Sequence, residues 1–223
     1  MSGQFEIDPR PRRCKLTVMK RPLVLQGDLN EEVAAEFATQ ADLSVDCEMM
    51  GLNPWRDRLC VIQIMAEKGT VALVQVNESQ GAPRVKTLFE NSAIRKIFHF
   101  ARMDILFLKH RANIDVQNIF CTKIASRLAR TYTDRHGLKE VIREMTGEVI
   151  DKTNQSSDWG RAELTPDQVY YAADDVRYLF DLKRQLSAIL EREGRLDLAE
   201  RCFAFLPTRR DLDLSGFDQI FEH

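Results

Sequence analysis

The sequence predicts an α/β fold: a mixed β-sheet with antiparallel leading strands, flanked by helices on both faces, in one domain with a helical C-terminal half. Three observations predict it. Three β-rich apolar runs follow one another early in the chain, joined by short turn-prone linkers that imply an antiparallel meander. Beyond Pro83 strand and helix periods alternate, and from Thr122 onward only helical periods remain. A chain of 223 residues with 44% hydrophobic and 30% charged residues also supports a sizeable core.

Residues 1–22 show no clear period, carry Pro9 and Pro11 among the basic Arg10, Arg12, Arg13 and Lys15, and read as a solvated N-terminal extension. Asp28-Leu-Asn30 supplies a cap for a helix from Glu31 to Thr39, with Val33, Ala34 and Phe37 on one side. The β-rich runs are Leu43–Asp46, Leu59–Met65 and Val71–Val76, with Gly51-Leu-Asn-Pro54 and Glu67-Lys-Gly-Thr70 turning between them. Val85, Leu88 and Phe89 fit a short helix, Ile94–Phe100 a strand, and Ile105, Leu106 and Leu108 a helix. Helices follow at Thr122–Arg130 and at Leu138–Met145 ending on Gly147. A single helix is then expected from a Thr165 cap, with Pro166 at its first position, through Glu193. The main domain is placed at 23–200. The tail 201–223 carries Phe203, Phe205, Leu206, Leu212, Leu214, Phe217, Ile220 and Phe221, more apolar area than a dangling end leaves in water. It is expected to dock on the domain or on a neighbouring subunit, with Arg209, Arg210, Asp211 and Asp213 as a surface charge cluster.

Composition excludes several classes. No run approaches the ~20 apolar residues of a membrane helix, and the N-terminus lacks the apolar core of a secretion signal, so a cytoplasmic protein without membrane contact is expected. The five cysteines form no CxxC pair, which argues against a zinc site or a disulfide framework. A formal charge of -2 and a pI near 6.1 argue against broad capture of long nucleic acid, so any polyanionic partner is short or locally gripped.

The chemistry lies in the carboxylates. Asp46 and Glu48 stand two apart at a strand end and project from one face. Asp104 follows the Ile94–Phe100 strand and heads an apolar helix, where capping is its alternative role. Tyr171 and Asp175 stand four apart on one helical face. Of the neighbouring acids, Asp174 groups with Arg177 and Asp181 on the wet side. Asp175 lies at the core margin, where a carboxylate is costly unless paired or bound to metal. Four oxygen ligands without His or Cys favour two hard cations, Mg²⁺ or Mn²⁺, and two such ions suit hydrolysis of a phosphodiester. Asp46 would bridge both, with Glu48 and Asp175 on one and Asp104 near the other. Tyr171 would orient the attacking water.

Val45-Asp-Cys-Glu48, His99-Phe-Ala-Arg-Met-Asp104 and Tyr171-Ala-Ala-Asp-Asp175 resemble the three motifs of the 3′→5′ exonucleases with four acids and a tyrosine, the ribonuclease D-like branch of the ribonuclease H-like fold. Gly51–Pro54, Arg56–Gln63 and Ser157–Val176 extend the resemblance over most of the chain. A finer resemblance, in Cys121–Arg127, Arg130–Glu140, Gln155–Trp159 and Cys202–Pro207, is to the nano-RNase C group, compact bacterial enzymes that clear diribonucleotides and very short RNA. It implies release of nucleoside 5′-monophosphates, a homo-octameric ring and restricted access to the sites. Two departures stand out: Phe100 replaces the Asn common after the His of the second motif, and Met49-Met50 follows Glu48. Too few residues follow Asp175 for the added helical domains of full-length ribonuclease D, which also favours short substrates. The rivals are a trimmer of longer RNA 3′ ends or of DNA, and a non-catalytic nucleotide-binding module.

Substrate contacts are expected from Met50, Gly51 and Leu52, where the resemblance places a hydrophobic wedge between the last two bases and packing is the alternative. His99 is a candidate for the terminal sugar or phosphate, or else a structural histidine. Arg135 and His136, in Tyr132-Thr-Asp-Arg-His136, and Gln155-Ser-Ser157 are candidates for a 5′-phosphate pocket, with a loop capping the Gly137 helix as the alternative to the former. Trp159 is expected to pack and to order the loop ahead of Thr165.

Overall fold

The computed structural model describes residues 21–67, 69–150 and 157–222. The basic arm, Gln155 and Ser156 lie outside them. Six strands and eight helices occur among the described residues, in the order β1 (Leu23–Gln26), α1 (Glu31–Ala38), β2 (Asp42–Met49), β3 (Leu59–Ala66), β4 (Val71–Gln75), α2 (Pro83–Glu90), β5 (Arg95–Phe98), α3 (Ala101–Ala112), β6 (Ile119–Cys121), α4 (Thr122–Ala129), α5 (Leu138–Thr146), α6 (Pro166–Arg177), α7 (Leu179–Arg192) and α8 (Leu196–Leu214). One mixed sheet runs β1-β4-β3-β2-β5-β6. β2, β3 and β4 form the expected antiparallel meander, while β1 joins β4, and β5 and β6 extend from β2, all in parallel. Every residue of β3 is buried, as a central strand covered on both faces requires. The structure shows the ribonuclease H-like mixed sheet that the motifs imply. No helix among the described residues is long and apolar enough to cross a membrane.

Local chemistry places the ends. Asn30 caps α1 by accepting from Val33 N at 2.8 Å, and Gly147 closes α5 at φ 76°, a conformation free of Cβ cost only for glycine. Thr165 and Gln168 form a capping box on α6, with Pro166 in the first turn.

Three expectations change. The helix expected through Glu193 is two, broken at Tyr178: α6 packs on β2, β3 and β4, α7 on α4, α5 and β5, and one straight rod cannot serve both sets. β1 and β6, four and three residues long, add an edge strand to each side of the expected sheet. The tail charge cluster is only partly at the surface. Arg210 and Asp213 are buried; Arg102 grips Asp213 through two 2.7 Å bonds, and Arg210 reaches Asp115 at 2.6 Å. These ties hold α8 against α3, and Phe203 packs its ring 4.7 Å from that of Phe120. Phe205, Phe217, Ile220 and Phe221 stay exposed.

Candidate active site

Asp46 and Glu48 leave β2 just before its register against β3 slips: Glu48 faces Val61, but Met49 faces Leu59. Such a bulge turns a strand end and re-aims its side chains. α6 delivers Asp175 to the same point, and the three carboxylates have oxygens within 4.8 Å of one another. Glu48 is held by Gln63 Nε2 at 3.3 Å. Three like charges this close repel strongly unless a cation sits among them, and an all-oxygen donor set suits a hard divalent ion. These residues therefore fit the metal that the motifs imply.

Asp104, in the first turn of α3, lines the same groove outside that cluster. Burial pushes its pKa up to about 8, against backbone N–H groups and the Cys47 thiol that hydrogen-bond its carboxylate. The Cys47 thiol is in turn raised well above its ordinary value by burial and by the adjacent Asp104. Burial and the charges of Asp175 and Glu48 push the Tyr171 phenol far above its usual range. Its proton stays on, so Tyr171 can position water and cannot act as a base at neutral pH.

The groove encloses about 1060 Å³. His99 stands at its wall between β5 and α3. Thr122 Oγ1 donates to Phe98 O at 3.1 Å and lies 2.9 Å from His99 Nδ1, a contact that fixes the orientation of the imidazole ring. Exposed Met50, Leu52 and Phe100 form an apolar lip. Phe100 holds φ at 68°, a left-handed conformation costly for an aromatic residue, and Lys123 Nζ sits 3.9 Å from its ring centroid. Trp159, buried as expected, lies 5.8 Å from the Tyr171 ring and lines the wall with Ser157 and Asp158.

The loop carrying Leu52 is braced by Asp57, which accepts from Asn53 N at 2.9 Å and pairs with Arg56; that pairing and the Asn53 bond pull its pKa down to about 2. A Cβ on Gly51 would stand 2.2 Å from Asp57 Oδ2. Gly51→Ala therefore displaces the brace and moves the lip. The expected result is a rise in KM of about tenfold, roughly 1.4 kcal/mol of lost binding, with kcat changed less. Steady-state kinetics check it, and an unaltered KM would separate the lip from substrate.

Arg135 and His136 are not brought to the groove. Arg135 is exposed, and the His136 ring is buried 3.0 Å from Ser126 Oγ, its pKa lowered by burial and by Arg130 and Arg127. The buried Arg130 guanidinium organises this string by donating to Ser126 Oγ, Arg135 O and Glu144. Among the described residues, the lysines that line the groove are Lys123 and Lys139. Lys123 sits one residue into α4, and neither composition nor period marked it as a site residue.

A family model described as 3′-5′ exonuclease matches residues 23–191. The ribonuclease D of Nitrobacter hamburgensis is 32% identical over 165 residues, 74% of this chain and 43% of that protein, so the chain spans less than half of that curated relative. Two solved structures of Brucella melitensis NrnC are also similar. The one with bound Mg²⁺ is 45% identical at TM-score 0.83, covering 89% of this chain and 96% of that one. The one bound to pGG is 46% identical at TM-score 0.81, covering 87% and 95%.

Proposed function

The chain belongs to the 3′-5′ exonuclease family, in its ribonuclease D-like branch close to NrnC, and from that premise we propose that it degrades diribonucleotides and very short RNA to nucleoside 5′-monophosphates. The observation that carries the reading is the groove: about 1060 Å³, three converging carboxylates, and an apolar lip beside two lysines. That volume is just above the ~300–1,000 Å³ of small-ligand pockets, room for a short oligonucleotide. The similar NrnC was solved bound to pGG.

Asp46, Glu48 and Asp175 would hold a divalent ion, with Asp104 beside them toward a second, Mg²⁺ or Mn²⁺. When bound, such ions acidify water and neutralise charge on the leaving oxygen. Every other part falls to the chain itself. Tyr171 keeps its proton and orients the attacking water. His99 stands at the wall, where it would face the terminal sugar or phosphate. Met50, Leu52 and Phe100 cover a base face, and Lys123 and Lys139 neutralise phosphate as point charges. The exposed Phe205, Phe217, Ile220 and Phe221 support self-association as part of the same proposal.

The test is single-turnover hydrolysis with Mn²⁺, comparing a 5′-phosphorylated diribonucleotide with a seven-residue RNA. The dimer is expected to be cut at least about tenfold faster, with a shallow salt slope because few phosphates are gripped. Faster stepwise shortening of the longer RNA, with a steep slope, would make the protein a general trimmer. Sedimentation of the same preparation as a monomer would remove the assembly part.

A further inference from the structure

Between α5 and α6 the segment Ser157–Leu164 has no regular structure, so its carbonyls need partners from elsewhere. Side chains supply them. Gln168 Nε2 donates to Asp158 O at 2.9 Å and to Ser157 Oγ at 3.1 Å, Arg58 donates to Gly160 O at 3.2 Å, and Gln75 donates to Arg161 O at 3.1 Å. Of these, the Gln168 tie reaches the part of the segment that lines the groove. Gln168 is 2% exposed, and the other end of its carboxamide accepts from Thr165 N at 3.0 Å in the capping box. One side chain thus bonds both the start of α6 and the groove wall. Tyr171 stands one turn further along α6, with its ring against Trp159 of that wall.

We propose that Gln168 is a positioning residue: its carboxamide fixes the Ser157–Trp159 wall to α6, and the seated Trp159 ring sets where the Tyr171 hydroxyl stands over the carboxylates. This rests on the exonuclease reading for its kinetic arm only. The two halves of the carboxamide are separable by mutation. Glu at this position keeps the acceptor that the capping box needs, as Ser/Thr-x-x-Glu boxes do, and loses the donor to the wall. A carboxylate buried here costs stability in either case, so the comparison is made on the folded protein: a role confined to helix capping leaves its kcat and Trp159 emission unchanged, and a role in the wall does not.

The experiment uses the Trp55→Phe background, in which Trp159 is the remaining tryptophan. Gln168→Glu and Ser157→Ala are each compared with Gln75→Met, which releases the part of the segment away from the groove. Expected are a red shift of Trp159 emission and a fall in kcat of about tenfold or more for Gln168→Glu, with KM little changed. Ser157→Ala should show a smaller change in the same direction, and Gln75→Met neither. If Gln168→Glu keeps kcat and emission, or if Gln75→Met alters both equally, the proposal is overturned; should Gln168→Glu fail to fold, Ser157→Ala decides by the same two readouts. A parent protein inert on every RNA would defeat the exonuclease reading instead, and the emission shift would still judge the tie.

Discussion

Asp175→Asn is expected to lower turnover of a 5′-phosphorylated diribonucleotide by roughly 10³-fold or more, about 4 kcal/mol of transition-state stabilisation, while leaving the fold intact. Asp175 is buried, with its carboxylate oxygen within 4.8 Å of those of Asp46 and Glu48. At an effective dielectric of about 20, two unit charges at that spacing repel by roughly 3 kcal/mol. Without a cation the folded protein bears that repulsion, and the neutral isostere relieves it. The variant is therefore expected to lose activity for want of a ligand, while its urea midpoint in EDTA should equal or exceed that of the parent. Addition of millimolar Mg²⁺ should raise the parent's midpoint and the variant's much less. Turnover within threefold of the parent would mean that the metal centre lies elsewhere.

Asp104→Asn is expected to melt higher than the parent in EDTA at pH 7.5, by on the order of 5 °C. The sign follows from proton linkage. Burial lifts the folded-state pKa of Asp104 from 3.8 to about 8. Between these values the folded protein holds a proton that the unfolded chain has released, so stability from this group falls as pH rises from about 4 to about 8. Asn does not titrate, and its carbonyl still accepts from the same backbone N–H groups. The gap between variant and parent should therefore be small at pH 5 and widest near pH 8. Urea melts across that range check it; a variant less stable than the parent at pH 7.5, or a gap independent of pH, would refute the assignment. Turnover falls in the same variant, so stability and activity move in opposite directions.

Much of this site is legible in the sequence because its residues obey short-range periods. Strand alternation couples Asp46 to Glu48, helical spacing couples Tyr171 to Asp175, and the same spacing turns Asp174 outward to Arg177, 3.5 Å away. The meander is legible for a similar reason, since its linkers are too short for a crossover. Other features depend on partners far along the chain. The burial of His136 is decided by Ser126 and Arg130, and that of Asp213 by Arg102, which lies 111 residues away. β1 and β6 escape because edge strands of four and three residues are too short to show a period. The break at Tyr178 escapes because Val176, Leu179, Phe180 and Leu182 carry the apolar period straight through it, without Gly or Pro to mark a stop. Lys123 reaches the groove because β6, too short to show a period, delivers the start of α4 beside Phe100.

The sheet order bears on how the molecule is made. β2, β3 and β4 pair through neighbouring hairpins, contacts that close quickly, and Asp46 and Glu48 ride on that early half. Asp175 lies about 130 residues further along the chain, so its approach is expected to follow the parallel pairings of β5 and β6. During refolding, far-UV dichroism should thus recover ahead of catalysis. If competence is assembled last, a chain folded only as far as β6 holds Asp46, Glu48 and Asp104 but neither Tyr171 nor Asp175, and is expected to leave the nucleotides around it uncut.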